Sequence, residues 1–248
     1  MRPLIEVCVE GVDGLLAAQD GGADRVELCA SLLEGGLTPS MGVVREALRR
    51  ARVPFHVMVR PRGGDFLYSD AEFAAMLLDV DSLRDAGVAG VVIGCLCRDG
   101  AVDEARTRAL VERARPLSVT FHRAFDMTRD LAEAMEALVR CGVDRVLTSG
   151  GRDAALDGLD ALRALHEQAG GRIAVLGCGG LRPDTIGRVR RETGLRELHF
   201  SAGAEQPSAM RHRNPGVAMG GAGLAGEYAH MLTDPGLVAR TIRAAAEE

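Results

Sequence analysis

Two short segments of the chain repeat the same chemistry, Glu6-Val7-Cys8 and Glu27-Leu28-Cys29. Both lie in runs of aliphatic residues that are typical of β-strands. Because strand side chains alternate between two faces, each segment places a carboxylate and a thiol on one face and an apolar residue on the other. Two such strands side by side would bring two thiols and two carboxylates together at one end of a sheet. This arrangement predicts a soft-metal site or a reactive pocket.

The two thiols are candidate ligands for monovalent copper, since soft thiolates prefer that ion over the harder divalent ions. The alternative is that Cys8 and Cys29 are ordinary buried residues that behave as small hydrophobes. A structural role is also open for the carboxylates. Glu6 and Glu27 would then face inward and be neutralised by neighbouring arginines. On the residues alone, both alternatives stay open.

An arginine-rich segment, residues 60–65, follows the third predicted strand. Arg60 and Arg62 share one face and are candidates to pair with Glu27. Arginines beside glycines also suit an oxyanion such as phosphate or carboxylate, and the alternative is a solvated loop or a subunit contact. Glycines after the last two strands add backbone N–H groups that many barrels use for phosphate. The predicted anion ligands are Arg60, Arg62, Arg123, Gly179, Gly180 and Ser201.

His122 and Asp126 end the fifth predicted strand and are the candidate catalytic residues. A histidine near a carboxylate can act as a general base or as a metal ligand. The pair would equally form a hydrogen-bonded corner with no chemical role. The pattern does not specify a reaction.

Composition limits the class of protein. The chain has 248 residues, 47% of them hydrophobic, and a net charge of −5 without a basic stripe, so nucleic acid is not an expected partner. No run approaches 18 apolar residues and no signal pattern opens the chain, which predicts a cytoplasmic protein without a membrane partner. Lysine is absent, which excludes Schiff-base chemistry and covalent pyridoxal catalysis.

The cysteines number six, and no zinc-type CxxC pair is present among them. In a reducing compartment they are expected to be free thiols. The pattern assigns no role to Cys95, Cys97, Cys141 or Cys178.

Eight short strands alternate with amphipathic helices along the chain. The predicted strands are residues 4–9, 25–29, 55–59, 90–94, 118–122, 145–148, 173–177 and 197–201. The predicted helices are residues 11–19, 40–51, 70–86, 103–114, 131–141, 154–168 and 182–193. Eight strand–helix units favour a single (β/α)8 barrel, of the TIM-barrel type, over residues 1–248. An open doubly wound sheet is the competing fold.

A repeat supports the closed barrel. Glycines that suit the left-handed end of a helix precede every second strand, at Gly22, Gly87, Gly142 and Gly194. Residues 204–227 show no period and are predicted to form a long loop after the eighth strand. A final helix over residues 235–248 would close the barrel, with Asp234 as its N-cap and Pro235 at its first position.

Five segments, in order along the chain, resemble the CutC copper homeostasis family. They are residues 22–29 (GADRVELC), 34–40 (EGGLTPS), 60–66 (RPRGGDF), 121–126 (FHRAFD) and 147–150 (LTSG), with an echo at 210–214 (MRHRN). The resemblance implies a TIM barrel, a cytoplasmic homo-oligomer, and an association with copper tolerance or monovalent copper binding. Cys8 and Cys29 fall where some family members carry paired cysteines proposed to bind copper.

The sequence therefore predicts a copper-handling protein that binds monovalent copper through Cys8 and Cys29. The alternative is a barrel enzyme that acts on a small anionic or phosphorylated substrate at the arginine and histidine rim. A third hypothesis is that the protein is a scaffold whose barrel rim binds a protein partner.

Overall fold

A closed barrel of eight parallel strands forms the centre of the protein, in a computed structural model that describes residues 2–217, 219 and 227–247. Each strand pairs with the next along the chain, and the eighth pairs with the first, which confirms the predicted barrel. The strands are β1 (Leu4–Glu10), β2 (Arg25–Cys29), β3 (Phe55–Met58), β4 (Gly90–Ile93), β5 (Ser118–Phe121), β6 (Arg145–Thr148), β7 (Ala174–Gly177) and β8 (Glu197–Ser201).

Helices surround the barrel and begin and end at residues suited to those positions. They are α1 (Gly11–Asp20), α2 (Met41–Arg50), α3 (Asp70–Ala86), α4 (Glu104–Ala114), α5 (Leu131–Cys141), α6 (Leu159–Ala169), α7 (Ile186–Thr193) and α8 (Pro235–Ala246). Ser69 and Glu72 form a reciprocal capping box at the start of α3. Gly87, Gly142 and Gly194 end α3, α5 and α7 in the left-handed conformation, as the repeat predicted. Within the described residues, no helix is long and apolar enough to cross a membrane.

Strand alternation divides the residues of β1 between two environments. Ile5, Val7 and Val9 face outward and are fully buried in the main hydrophobic core between the strands and the helices. Glu6 and Cys8 face the inside of the barrel. The barrel interior therefore holds the charged and thiol-bearing residues, while the apolar core that stabilises the fold lies outside the strands.

The segment after β8 differs from the predicted long loop. Its first residues belong to β9 (Gly203–Pro207), which pairs antiparallel with β10 (Ala229–Thr233). This hairpin was not predicted because the glycines and prolines between its two strands interrupt any regular alternation of polar and apolar residues. Residues 218 and 220–226 of the predicted loop lie outside the described residues.

Two predicted helices begin later than expected, and the closing helix begins where expected. Residues 155–157 form a separate 3₁₀ turn, held by a bond from Ala155 N–H to the Gly179 carbonyl, so α6 starts only at Leu159. The Thr185 hydroxyl accepts from Arg182 N–H and closes a turn before α7. Helix α8 starts at Pro235, and the Asp234 carboxylate accepts from Leu237 N–H, as predicted.

Candidate functional site

Three potential metal ligands from three neighbouring strands meet inside the barrel. The register of the sheet places Cys8 of β1 opposite Glu27 of β2, and Glu6 of β1 opposite His199 of β8. The Cys8 thiol, one carboxylate oxygen of Glu27 and one ring nitrogen of His199 all lie within 4.8 Å of one another. A thiolate, an imidazole and a carboxylate are all metal ligands, and the first two suit soft and borderline metals.

His199 is held in one orientation by a buried carboxylate. Its Nδ1 lies 2.8 Å from Glu6 Oε1, and its Nε2 faces Glu27, with Oε2 at 3.9 Å. Because an ionised carboxylate only accepts, Nδ1 donates its proton to Glu6 and Nε2 faces the Cys8 and Glu27 cluster. Burial would lower the pKa of His199, but the negative charges of Cys8 and Glu27 and the bond to Glu6 raise it well above its ordinary value. This carboxylate–histidine arrangement is the one that orients metal-bound histidines.

A chain of ion pairs fixes Glu6 in turn. The Arg25 Nε–H donates to Glu6, and Arg25 Nη2 donates to Glu197 at 2.8 Å. Arg145 Nε donates to the same Glu197 oxygen at 2.6 Å. Burial alone would raise the pKa of Glu6, but the bond from His199 and the charge of Arg25 hold it well below its usual range. The network keeps Glu6 ionised and therefore keeps it an acceptor for His199.

Glu27 differs from Glu6 because, among the described residues, no arginine forms an ion pair with it. The prediction that Arg60 or Arg62 pairs with Glu27 is wrong, because Arg60 donates to the Glu34 carbonyl and Arg62 donates to Glu72 of α3. Burial raises the pKa of Glu27 to about 7, and the charge of His199 opposes that rise. Its Oε1 has no hydrogen-bond partner in the described part of the chain. Glu27 thus carries a free ligand atom, deep in the barrel.

Cys29 lies beside this cluster, next to Glu27. Its thiol is 3.6 Å from Glu27 Oε2, and its side chain packs against Met58 and Val92. Burial raises the pKa of Cys29 well above the ordinary thiol value, and the charge of Glu27 adds to the effect. Cys8 is only partly buried, whereas Cys29 is buried. The structure therefore brings both predicted copper ligands to one region, but only Cys8 belongs to the compact set of three.

Two of the predicted anion ligands are arginines that already have carboxylate partners. Arg62 pairs with Glu72 and Asp65, and Arg123 pairs with Asp126. The carbonyls of Gly179 and Gly180 accept from Ala155 N–H and the Thr185 hydroxyl, which does not involve the N–H groups that the prediction names, and Ser201 lies opposite Cys8 in the β1–β8 register. Among the described residues, the Arg60 guanidinium donates to the backbone carbonyls of Glu34, Gly36 and Gly64 and pairs with no carboxylate.

The two candidate catalytic residues lie in different surroundings. The Asp126 carboxylate accepts from the hydroxyls of Thr148 and Ser149 and from the backbone N–H of Gly151, so it ties β5 to β6. His122 is buried, and its Nδ1 accepts from the Ala124 N–H. Burial and the charge of Arg60 lower the pKa of His122 to about 3. The hydrogen bonds of Asp126 are therefore those of a structural residue that joins two strand ends. His122 is a neutral imidazole that can donate a hydrogen bond at the barrel mouth.

Barrels with functional groups at the carboxyl ends of their strands form a large class of proteins, and this chain belongs to it. Within that class the chain belongs to the CutC family, whose model matches residues 3–204. A CutC family protein of Mesorhizobium japonicum is 66% identical over 243 residues, which cover 98% of this chain and 94% of the relative. The human copper homeostasis protein cutC homolog is 46% identical, covering 98% of this chain and 89% of the relative.

Solved structures agree with this assignment. The CutC structure from Streptococcus agalactiae superposes with a TM-score of 0.76 and 31% identity, covering 80% of this chain and 98% of that one. A phosphoribosylanthranilate isomerase of Pyrococcus furiosus matches 98% of both chains with a TM-score of 0.57 but only 14% identity. The second likeness shows the barrel fold alone.

Proposed function

We propose that this protein handles copper in the cytoplasm by binding monovalent copper at Cys8 and Cys29. The observation that carries the proposal is the meeting of the Cys8 thiol, Glu27 and His199 within 4.8 Å, with the Cys29 thiol 3.6 Å from Glu27. The human relative is a copper homeostasis protein cutC homolog, which supports the same function. All six cysteines are free thiols, as expected in a reducing compartment.

The chemistry of the donors matches a soft ion. Thiolates bind monovalent copper strongly, and an imidazole nitrogen is a suitable further ligand. In the proposed site Cys8 supplies the accessible thiolate, Cys29 supplies the buried one, and His199 Nε2 lies next to the metal. Binding would release protons, because thiols and imidazolium must lose a proton before they coordinate a metal.

An anaerobic titration with monovalent copper against a competing chelator tests the proposal. We expect the wild-type protein to bind one copper ion, and the Cys8→Ser/Cys29→Ser variant to bind it about 100-fold more weakly or worse, since it loses both thiolate ligands. Cys8→Ser alone is expected to weaken binding more than Cys29→Ser, because Cys8 lies within the compact set.

Cys97→Ser is the matched control, since Cys97 is an exposed thiol. It should leave the affinity unchanged. Equal binding by the wild type and the double variant would contradict the proposal, and so would a loss of copper caused by Cys97→Ser.

Glu6→Gln tests whether the oriented histidine contributes to the copper site. The amide keeps the shape of the side chain but loses the charge that fixes the Nδ1–H of His199. Loss of such a partner typically weakens metal binding by about 10- to 100-fold. The same chelator competition measures the change. An unaltered copper affinity in Glu6→Gln would show that His199 does not reach the metal.

A further inference from the structure

Arg60 is a buried cation without a carboxylate partner. Its side chain follows β3 and is 5% exposed. The guanidinium donates to the backbone carbonyls of Glu34 at 2.6 Å, Gly36 at 3.2 Å and Gly64 at 2.9 Å. Among the described residues, no carboxylate forms an ion pair with it. Arginine is rarely buried without a paired charge, since an uncompensated charge loses its hydration. The described residues therefore leave the positive charge of Arg60 without a compensating anion.

Unused hydrogen-bond donors lie close to this charge. Arg60 Nε, the Tyr68 hydroxyl and His122 Nε2 are buried and have no partner with good hydrogen-bond geometry in the described part of the chain. The Tyr68 oxygen lies close enough to the Arg60 guanidinium to accept from it, which leaves the Tyr68 O–H as a donor. Because His122 Nδ1 accepts from the Ala124 N–H at 3.1 Å, the proton of the neutral ring is on Nε2. Burial raises the pKa of Tyr68 to about 12, and the neighbouring Arg60 charge opposes part of that rise, so the hydroxyl keeps its proton. The unused groups are thus three donors.

Phe66 and Gly94 position these donors. The Phe66 ring lies between the two basic residues, with its centroid 5.0 Å from Arg60 Cζ and 4.9 Å from the His122 ring centroid. The His122 ring occupies the space beside Gly94, where a Cβ would clash with the ring. The glycine that follows β4 therefore leaves room for the histidine side chain.

We propose that Arg60, Tyr68 and His122 bind the anionic group of a small organic molecule at the barrel mouth, a carboxylate or a phosphate ester. Three donors and one unpaired positive charge complement an oxyanion, which has only acceptors. Arg62 and Arg123 are not part of this site, because carboxylates of the chain already pair with them. The proposed site uses side chains that follow β3 and β5, whereas the proposed metal ligands are on β1, β2 and β8, and it adds an organic ligand to the proposed copper function.

Titration of copper-free protein with inorganic phosphate and, separately, with acetate tests the site, at constant ionic strength set by sodium chloride. The readout is the ring Nε2–H signal of His122 in nuclear magnetic resonance, assigned by its loss in His122→Gln. We expect a saturable shift with at least one probe, and the tighter probe distinguishes a phosphate from a carboxylate ligand. Tyr68→Phe and Arg60→Gln should each weaken binding about 10-fold or more, as expected for the loss of one bond to a charged group.

Arg188→Gln is the matched control, since Arg188 on α7 is an exposed arginine that pairs with Glu192. It should bind the probes as the wild type does. If Arg60→Gln does not fold, Tyr68→Phe decides, because it removes only a hydroxyl. If neither probe gives a saturable shift, or if Arg188→Gln weakens binding as much as Tyr68→Phe does, the proposed site is wrong and Arg60 is purely structural. No copper is used, so this result is independent of copper binding.

Discussion

Arg25→Met is expected to destabilise the protein by about 3–5 kcal/mol, the usual cost of removing one partner from a buried ion pair. Arg25 is 5% exposed and links two carboxylates, Glu6 and Glu197. Methionine preserves most of the volume, so the loss comes mainly from the charges that remain. Glu6 would keep only His199 as a partner, and Glu197 would keep Arg145. Urea unfolding followed by circular dichroism measures the change.

Two further variants separate charge from packing in this experiment. Glu6→Gln/Arg25→Met should be more stable than Arg25→Met alone, because it removes the carboxylate that the single substitution leaves uncompensated. Arg113→Met breaks an exposed pair with Asp81 and should change the stability little. If Arg25→Met costs no more than Arg113→Met, the buried network does not hold the barrel interior together.

The shared face of Glu6 and Cys8, and that of Glu27 and Cys29, could be predicted because it depends only on local alternation along a strand. The closed barrel could be predicted for a similar reason, since it follows from eight repeated strand–helix units. Both inferences use residues that are close in sequence. They required no knowledge of how distant strands meet.

The position of His199 could not be predicted from the same patterns. It meets Glu6 across the β8–β1 closure, 193 residues apart in the chain, and the register of that closure has no local signal. The one available signal was that His199 lies on the inward face of the last strand. The sequence around it does not distinguish it from the other histidines. The same holds for Arg25, which is adjacent to Glu6 only because of the stagger between β1 and β2.

The error over Arg60 has a different cause. Strand alternation predicted one face for Arg60 and Arg62, but β3 ends at Met58, so the alternation does not extend to Arg60, and a long side chain also reaches beyond the position of its Cα. Its guanidinium reaches the carbonyls of Glu34 and Gly36 in the preceding loop. The conformation of the loop that contains residues 34–36 determines this contact. The glycines in that loop give no sequence signal from which the contact could be predicted.

Two buried histidines are expected to make the protein sensitive to acid. Burial lowers the pKa of His56 to about 4 and that of His122 to about 3, against an unperturbed value of about 6.5. Below pH 6.5 the unfolded chain therefore binds protons that the folded protein does not accept, so stability falls as the pH drops. Complete titration would cost about 3 kcal/mol for His56 and about 5 kcal/mol for His122.

Glu27 acts in the opposite direction over part of this range. Its raised folded pKa of about 7 means that folding takes up a proton between about pH 7 and 4.5. The stability contributed by protonated Glu27 is full at the acidic end and is lost as the pH rises through 7. The wild-type pH profile thus combines opposing contributions, and single variants are needed to separate them.

His122→Gln isolates one histidine, because the amide retains a hydrogen-bond acceptor but does not titrate. Between pH 6 and 4, the free energy of unfolding of this variant should fall less steeply than that of the wild type, by about 1.4 kcal/mol per pH unit, the value for one proton. His56→Gln should show the same change down to about pH 4. Urea unfolding at five or six pH values gives these slopes directly. Parallel profiles for the wild type and both variants would show that His56 and His122 bind protons as readily in the folded protein as in the unfolded chain, and would contradict the prediction.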